Sequence, residues 1–333
     1  MSQAIYVGID ISAASLAVNW QTPSGDVLTW EGQQKLGDWR KLKKQLVASA
    51  GEAEIIVVLE ATSTYWLGVA YYLHEAGCTI KAVNPAQAHY FMNSYLQRDK
   101  TDQMDAQLLA QMARERHASL ATWTPPPVVY EELYQRLILR EALMGTRQSL
   151  RSQYHALRQR PQPVPEVLAT YEALIADLEA QIKALEKTIK HALTAESEWQ
   201  ATAQHLLSIP GVGPLTVAWL LVTTQNFTTC ETPEQLASYI GLVPREYRSG
   251  TSVYRRPSIG RSARPRLRSL LYLVAWSATR YNPVMKSYYE RLLARGKAKQ
   301  VALIATARKL VHVMFALAKK GEDFNPNLGG STN

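Results

Sequence analysis

Four carboxylates in the first third of the chain stand where acids are costly. Asp10 closes the short apolar run Ala4–Asp10 (AIYVGID), and Glu60 closes Glu54–Glu60 (EIIVVLE). Asp102 and Asp105 lie three residues apart, a spacing that sets both on one face of a helix. An acid at the end of a buried strand is unfavourable unless it pairs or meets a cation. Converging carboxylate oxygens suit Mg²⁺ or Mn²⁺. Two such ions activate a nucleophile and stabilise a leaving oxygen in phosphoryl transfer. Singly, Asp102 or Asp105 reads as a partner for a helix N-terminal dipole, and Glu60 as a strand-end charge. Together they predict a metal site.

The order of elements decides whether these acids can meet. Strands are predicted at Ala4–Asp10, Ser15–Gln21 and Asp26–Glu31, with Pro23-Ser24-Gly25 as the turn between the last two. A polar helix over Leu36–Ala48 leads to Glu54–Glu60, which holds four consecutive β-branched residues. A helix over Thr64–Glu75 is closed by Gly77, then come a strand at Cys78–Val83 and a helix over Ala86–Leu96. Thr101 is placed as the N-cap of a further helix reaching His117. Acids at these points on this order of elements follow the arrangement of RNase H-like nucleases.

Pro125-Pro126-Pro127 marks a boundary. Helices are expected over Val129–Arg158 and Val167–Leu193, parted by Pro161, Pro163 and Pro165. Leu174, Leu178, Ile182, Leu185 and Ile189 recur at coiled-coil-like steps, which fits either a hairpin within one chain or a dimerisation stalk. Further on, Pro210-Gly211-Val212-Gly213 separates two apolar helical runs in the manner of a helix-hairpin-helix. Glycines there let a backbone approach phosphate, although a Gly-Val-Gly turn also serves simple packing. Gly241–Arg268 reads as a long irregular basic stretch, and Leu270–Ala278, Ser287–Arg295 and Val301–Ala318 as closing helices. The expected domains are therefore 1–125, α/β and carrying the acids; 126–200, a helical connector; and 201–333, mainly α.

Charge separates these parts. The 333 residues carry a net +9. Residues 1–125 hold a net −2 and 126–200 a net −1, whereas 201–333 hold eighteen Lys and Arg against six acids. A basic back third beside an acid-bearing front third suits a polyanion held by one and cut by the other, and nucleic acid is the polyanion that Arg forks match. Arg245, Arg248, Arg255, Arg256, Arg261, Arg264, Arg266 and Arg268 crowd one segment, interleaved with Tyr239, Tyr247 and Tyr254, rings on which unpaired bases stack. Ser249, Ser252, Ser258 and Ser262 lie in the same segment. Any of them suits a phosphate contact, or a nucleophile that stores a phosphodiester as phosphoserine. Spacing does not choose among them, though Ser249 has Arg248 and Gly250 beside it. Cys78 and Cys230 are the only cysteines, which excludes a disulfide framework and a multi-Cys zinc site and fits a reducing compartment. Asp10 interrupts the first apolar run, so no signal peptide is expected. No stretch reaches the roughly 18 apolar residues of a membrane span, so no membrane is expected among the partners.

Six runs then carry a resemblance. Tyr6–Asp10 (YVGID), Leu59–Tyr65 (LEATSTY) and Lys100–Ala106 (KTDQMDA) resemble the N-terminal motifs of insertion-sequence recombinases of the "one-ten" family, the DEDD transposases related to Piv invertases. Ser208–Gly213 (SIPGVG), Ala237–Pro244 (ASYIGLVP) and Tyr247–Ser252 (YRSGTS) resemble their C-terminal transposase motifs. The resemblance implies a RuvC-like RNase H domain with Asp10, Glu60, Asp102 and Asp105 as metal ligands. It implies Ser249 as the catalytic serine, and a bacterial, cytoplasmic enzyme that joins element and target DNA. It further implies guidance by an element-encoded bridge RNA. Assembly would be as dimers and tetramers, in which the acids of one protomer meet the serine of another. The chain departs from the family pattern at Ser63, where Gly is usual, and at Ser12-Ala13-Ala14, where a Lys is common. It departs again at Ala263 and Pro265, where Lys and Gly often occur. Two rival readings share the same residues. A junction-resolving endonuclease would use the four acids with water as nucleophile, and a non-enzymatic scaffold would need only the basic segment.

Overall fold

The computed structural model describes residues 4–95, 101–195, 197–243, 245–249, 253–258 and 265–327, with 245–249 and 253–258 as backbone alone. The chain forms two units, Met1–Pro125 and Pro126–Asn333.

In the first unit, β1 (Ala4–Ile11), β2 (Ser15–Gln21) and β3 (Val27–Gln33) form an antiparallel meander, and β4 (Glu54–Glu60) and β5 (Thr79–Val83) extend it in parallel. The sheet order is β3-β2-β1-β4-β5, with β1 and β4 adjacent at its centre. This is the mixed sheet anticipated for an RNase H-like domain. Parallel neighbours need a crossover. Here α1 (Leu36–Ala50) joins β3 to β4, and α2 (Tyr65–Glu75) joins β4 to β5. Both helices pack on one face of the sheet, where Val7, Ile9, Val57 and Leu59 meet Leu42, Leu46, Val69 and Leu73. On the other face Val58 and Val83 meet Phe91 of α3 (Pro85–Asn93) and Leu109 and Met112 of α4 (Asp102–Arg116). β4 is thus buried on both faces, and for that reason EIIVVLE reads as a continuous apolar run. Each such aliphatic side chain contributes about 1.5–3 kcal/mol on burial.

The second unit is mainly helical. α5 (Val128–Arg158) and α6 (Pro165–Thr194) form a long antiparallel hairpin tied by Arg140 Nη2 to Glu186 Oε1 at 2.6 Å, Arg151 to Glu179, and Tyr154 to Glu172. The inner part of the predicted row is buried at Ile182 and Ile189, whereas Leu174 near the far end is exposed. α7 (Gln200–Leu207), α8 (Pro214–Thr224), α9 (Pro233–Ile240), α10 (Pro265–Tyr281), α11 (Pro283–Ala294) and α12 (Lys299–Lys320) close around one apolar cluster that includes Leu206, Leu221, Leu236, Leu271, Leu310 and Met314. Proline opens α8, α9, α10 and α11, where its missing N–H is an orphan in any case. Asn282 caps α11, its Oδ1 accepting from Val284 and Met285 N–H.

Two expectations change here, and one element was not anticipated. The stretch read as irregular contains an antiparallel hairpin, β6 (Arg245–Ser249) and β7 (Val253–Ser258). A run of Arg and Tyr has no period-2 apolar alternation to announce strands. The helix α9 was not anticipated although its signals are local: Thr232 caps it, Pro233 opens it and Gly241 closes it at φ 85°. Finally, α12 is long and apolar enough to cross a membrane by length and composition. Its apolar side chains Leu303, Leu310, Val311, Met314 and Phe315 are buried in the protein instead.

Candidate active site

Asp10 and Glu60 are brought together by register. β1 and β4 pair in parallel up to Ile9↔Leu59, and the next step along each strand is Asp10 and Glu60. Adjacent strands lie about 4.8 Å apart. Alternation turns both acids away from the Val7–Ile9–Leu59 side and toward the face covered by α4. Asp102 and Asp105 occupy the first turn of α4, where Thr101 is the N-cap and its Oγ1 accepts from Met104 N–H at 3.2 Å.

What lets α4 reach these strand ends is Gly8. A Cβ there would stand 2.0 Å from Ala106 O and 2.2 Å from Ala110 N, so helix backbone lies directly on strand backbone. Two residues beyond Gly8 is Asp10, and one residue before Ala106 is Asp105. Gln103 fixes the same turn from the other side, its Nε2 donating to Glu31 Oε1 at 2.9 Å on β3. Neither Gly8 nor Gln103 was singled out by sequence reasoning. The only trace of Gly8 is a glycine inside a strand pattern, which marks close backbone approach. Gly8→Ala is expected to destabilise the protein by about 3 kcal/mol through overpacking and to lower strand cleavage, as measured by urea denaturation and a nicking assay.

The acids share a field. Burial, then the charges of Asp105 and Asp102, and to a lesser degree Glu60, push the Asp10 carboxyl up from 3.8 to about 6, against an opposing hydrogen bond from the Ile11 N–H. Glu60 accepts a hydrogen bond from the Thr62 hydroxyl. Among the described residues no three carboxylate, His or Cys side chains are closed up as a finished metal set. In kind and in charge the four acids nonetheless fit a hard divalent cation. They are oxygen-only donors, and one of them, Asp10, is driven toward its protonated form by burial and then by repulsion from the others.

Ser63, next to this site, adopts φ 57°, a left-handed conformation that disfavours any residue but glycine. A Gly, which the resemblance leads one to expect at this position, meets no such penalty. Ser63→Gly is expected to raise stability by about 0.5–1 kcal/mol, since relief of roughly 1–2 kcal/mol of strain exceeds the added unfolded-state entropy. Thermal unfolding measures it.

The other sequence-singled residues fall in the second unit. Ser249 ends β6, paired with Val253 across the hairpin; Arg248 pairs with Tyr254, and Tyr247 with Arg255. Arg245 lies on β6, and Arg256 and Ser258 on β7. Arg261, Arg264, Ser252, Ser262 and Ala263 lie outside the described residues. Arg266 and Arg268 begin α10, and Arg266 bonds Glu141 of α5. Gly211 has φ 91°, and a Cβ there would stand 3.0 Å from Ala278 Cα, so it lets the turn lie against α10. Gly213 precedes α8 in open space.

A mixed sheet carrying four acids, followed by a basic, mainly helical unit, suits an enzyme that acts on nucleic acid. Comparison with known proteins gives the particular family. Residues 7–160 match a model of the DEDD IS110 type described as "Transposase", and residues 203–290 match the "Transposase IS116/IS110/IS902 family". Pilin gene-inverting proteins of Moraxella bovis and Moraxella lacunata are each 30% identical over 275 residues, 82% of this chain and 82% of theirs. A probable family 20 transposase of Pseudomonas aeruginosa is 25% identical over 303 residues, 81% of this chain and 86% of its own. A solved RuvC structure of Thermus thermophilus aligns over 36% of this chain and 99% of that one, at 12% identity and a TM-score of 0.27. The chain belongs to the IS110 family of DEDD transposases. It is a DNA transposase or recombinase, and its class implies a divalent cation.

Proposed function

We propose that this transposase exchanges DNA strands through a hybrid site, in which Asp10, Glu60, Asp102 and Asp105 hold Mg²⁺ or Mn²⁺ and Ser249 is the nucleophile. The observation that carries the reading is the gathering of Asp10 and Glu60 at adjacent strand ends beside the first turn of α4, where burial first, and then the charges of Asp105, Asp102 and Glu60, raise the Asp10 carboxyl to about 6. A bound divalent cation supplies Lewis-acid polarisation of the scissile phosphate and eases loss of its leaving oxygen. The chain's own groups do the rest. Asp10 and Glu60, at adjacent strand ends, and Asp102 and Asp105, on one helical turn, present the oxygens. The Ser249 hydroxyl attacks phosphorus: the Oγ–P bond forms as the P–O bond to the leaving strand breaks, and the hydroxyl proton goes to solvent while the leaving oxygen gains one. Attack by an incoming strand hydroxyl reverses this, so the number of phosphodiesters is conserved. The guanidinium groups of the 245–268 segment offset charge on the phosphate, and Gly211, Gly213 and the N-terminus of α8 supply backbone contacts to phosphate in a helix-hairpin-helix manner.

Sequence choice falls to an element-encoded bridge RNA that pairs with DNA, so the protein holds nucleic acid mainly by shape and charge. The eighteen basic residues of 201–333 support this. The far part of the α5–α6 hairpin, with Leu174 exposed, supports assembly as a dimer and then a tetramer through a coiled coil. In that assembly the acids of one protomer serve the Ser249 of another. The test is strand cleavage with protein, guide RNA and DNA together. Asp102→Asn is expected to abolish it, and normal recombination by that variant would remove Asp102 from the site.

A further inference from the structure

The second unit carries a cleft that the chemistry above does not use. It has a volume of about 730 Å³ and is lined by α11, α12 and the chain just beyond α12. That is within the roughly 300–1,000 Å³ of pockets that take small organic ligands. Val284, Val313, Leu317 and Phe324 give it an apolar body, and Arg308, Lys309 and Lys320 give it positive charge. Lys309 Nζ lies 4.7 Å, and the Arg291 guanidinium carbon 5.4 Å, from the centre of the Tyr288 ring. Among the described residues none of these four cations is in an ion pair. Of the two acids on the lining, Glu322 and Asp323, the second is bonded to His205 Nδ1 at 2.8 Å. His312, also on the lining, has its Nε2 buried without a partner.

Like charges gathered at one ring and paired with no carboxylate, although Glu322 is on the lining and Glu234 lies 3.8 Å from His312 Nδ1, are poorly compensated, and burial together with Arg291 holds the Lys309 ammonium below its ordinary range. An anion relieves this, and the apolar lining beside it accommodates a flat ring. An aromatic base joined to a phosphate has both parts. A duplex keeps its bases stacked and offers mainly phosphates, whereas an unpaired strand can place a base in a concave site. DNA that a transposase cuts and rejoins has strand ends, at which a base can leave the stack. We propose that the α11–α12 cleft is a binding site for an unpaired DNA nucleotide, its base against Val284, Val313, Leu317 and Phe324 and its phosphate on Arg308 and Lys309.

The experiment uses the full-length protein and fluorescein-labelled oligonucleotides at one fixed salt concentration. Ala316 lines the cleft and is exposed on α12, so Ala316→Trp fills the site without touching the core. This variant is expected to bind single-stranded DNA about tenfold more weakly, the worth of one stacked base, and duplex DNA within about twofold of wild type. Lys309→Ala is expected to lower the salt dependence of single-strand binding by about one charge. A single strand made wholly of abasic sites should bind wild type and Ala316→Trp alike. An unchanged single-strand affinity, an equal loss on duplex, or a loss confined to RNA strands would overturn the proposal. These outcomes do not depend on the acids or on Ser249.

Discussion

Asp10→Asn is expected to make the cation-free protein more stable at neutral pH while removing strand cleavage. The folded carboxyl titrates at about 6 instead of 3.8, because ionising it costs burial and repulsion from Asp105, Asp102 and Glu60. A folded pKa above the unfolded one means the native state binds the proton more tightly. Stability from this group is therefore greatest below about pH 4, declines as pH rises through about 6, and is flat above. At neutral pH the wild-type chain carries the whole penalty. Each pKa unit is about 1.4 kcal/mol, and discounting for a half-exposed carboxyl leaves on the order of 1–2 kcal/mol. The Asn amide removes the charge and donates to the neighbouring carboxylates, so the unfolding temperature of the cation-free variant should rise by several degrees. Saturating Mg²⁺ should reverse the ranking, since only the wild type gains the linkage free energy of cation binding. Cleavage should fall at least about a thousandfold, or about 4 kcal/mol of barrier. An Asp10→Asn protein that is less stable without cation, or that cleaves normally, would contradict the site.

The second large effect concerns Ser249. If its hydroxyl forms the covalent link, Ser249→Ala leaves folding and DNA binding near wild type and lowers strand exchange by about 10⁴-fold or more, the scale for loss of a nucleophile. Denaturing electrophoresis of end-labelled DNA should show a protein–DNA adduct with the wild type and none with the variant. An adduct that persists in Ser249→Ala moves the nucleophile elsewhere. Free DNA ends with no adduct in the wild type would favour water as the nucleophile, as in a junction-resolving endonuclease.

Much of the front unit was legible because its signals are local. The EIIVVLE run marks a doubly buried strand, the turn at Pro23-Ser24-Gly25 separates β2 from β3, and Thr101 caps α4 as its residue type suggests. Asp10 and Glu60 were legible as strand-end acids. Their adjacency, however, depends on pairing between positions fifty residues apart, which no local pattern encodes. Gly8 was illegible for the same reason: its requirement comes from the backbone of Ala106 and Ala110, about a hundred residues later. Ser63 hid a left-handed turn because a serine does not announce one; only the family's usual glycine hinted at it. In the second unit the β6–β7 hairpin lies in a run of Arg and Tyr whose pattern follows charge instead of burial, so strand periodicity was absent.

The central claim is that four carboxylates form a cation site that includes Asp10, whose carboxyl is raised by burial and by its acidic neighbours. Calorimetric titration of Mn²⁺ into the full-length protein at pH 6 and pH 8, each in two buffers of different ionisation enthalpy, tests it most directly. With Asp10 titrating at about 6, binding at pH 6 should release about half a proton from that carboxyl and at pH 8 almost none, and Asp10→Asn should lose most of the affinity. Absence of specific binding, or binding of equal strength in Asp10→Asn with no proton release at either pH, would contradict the account.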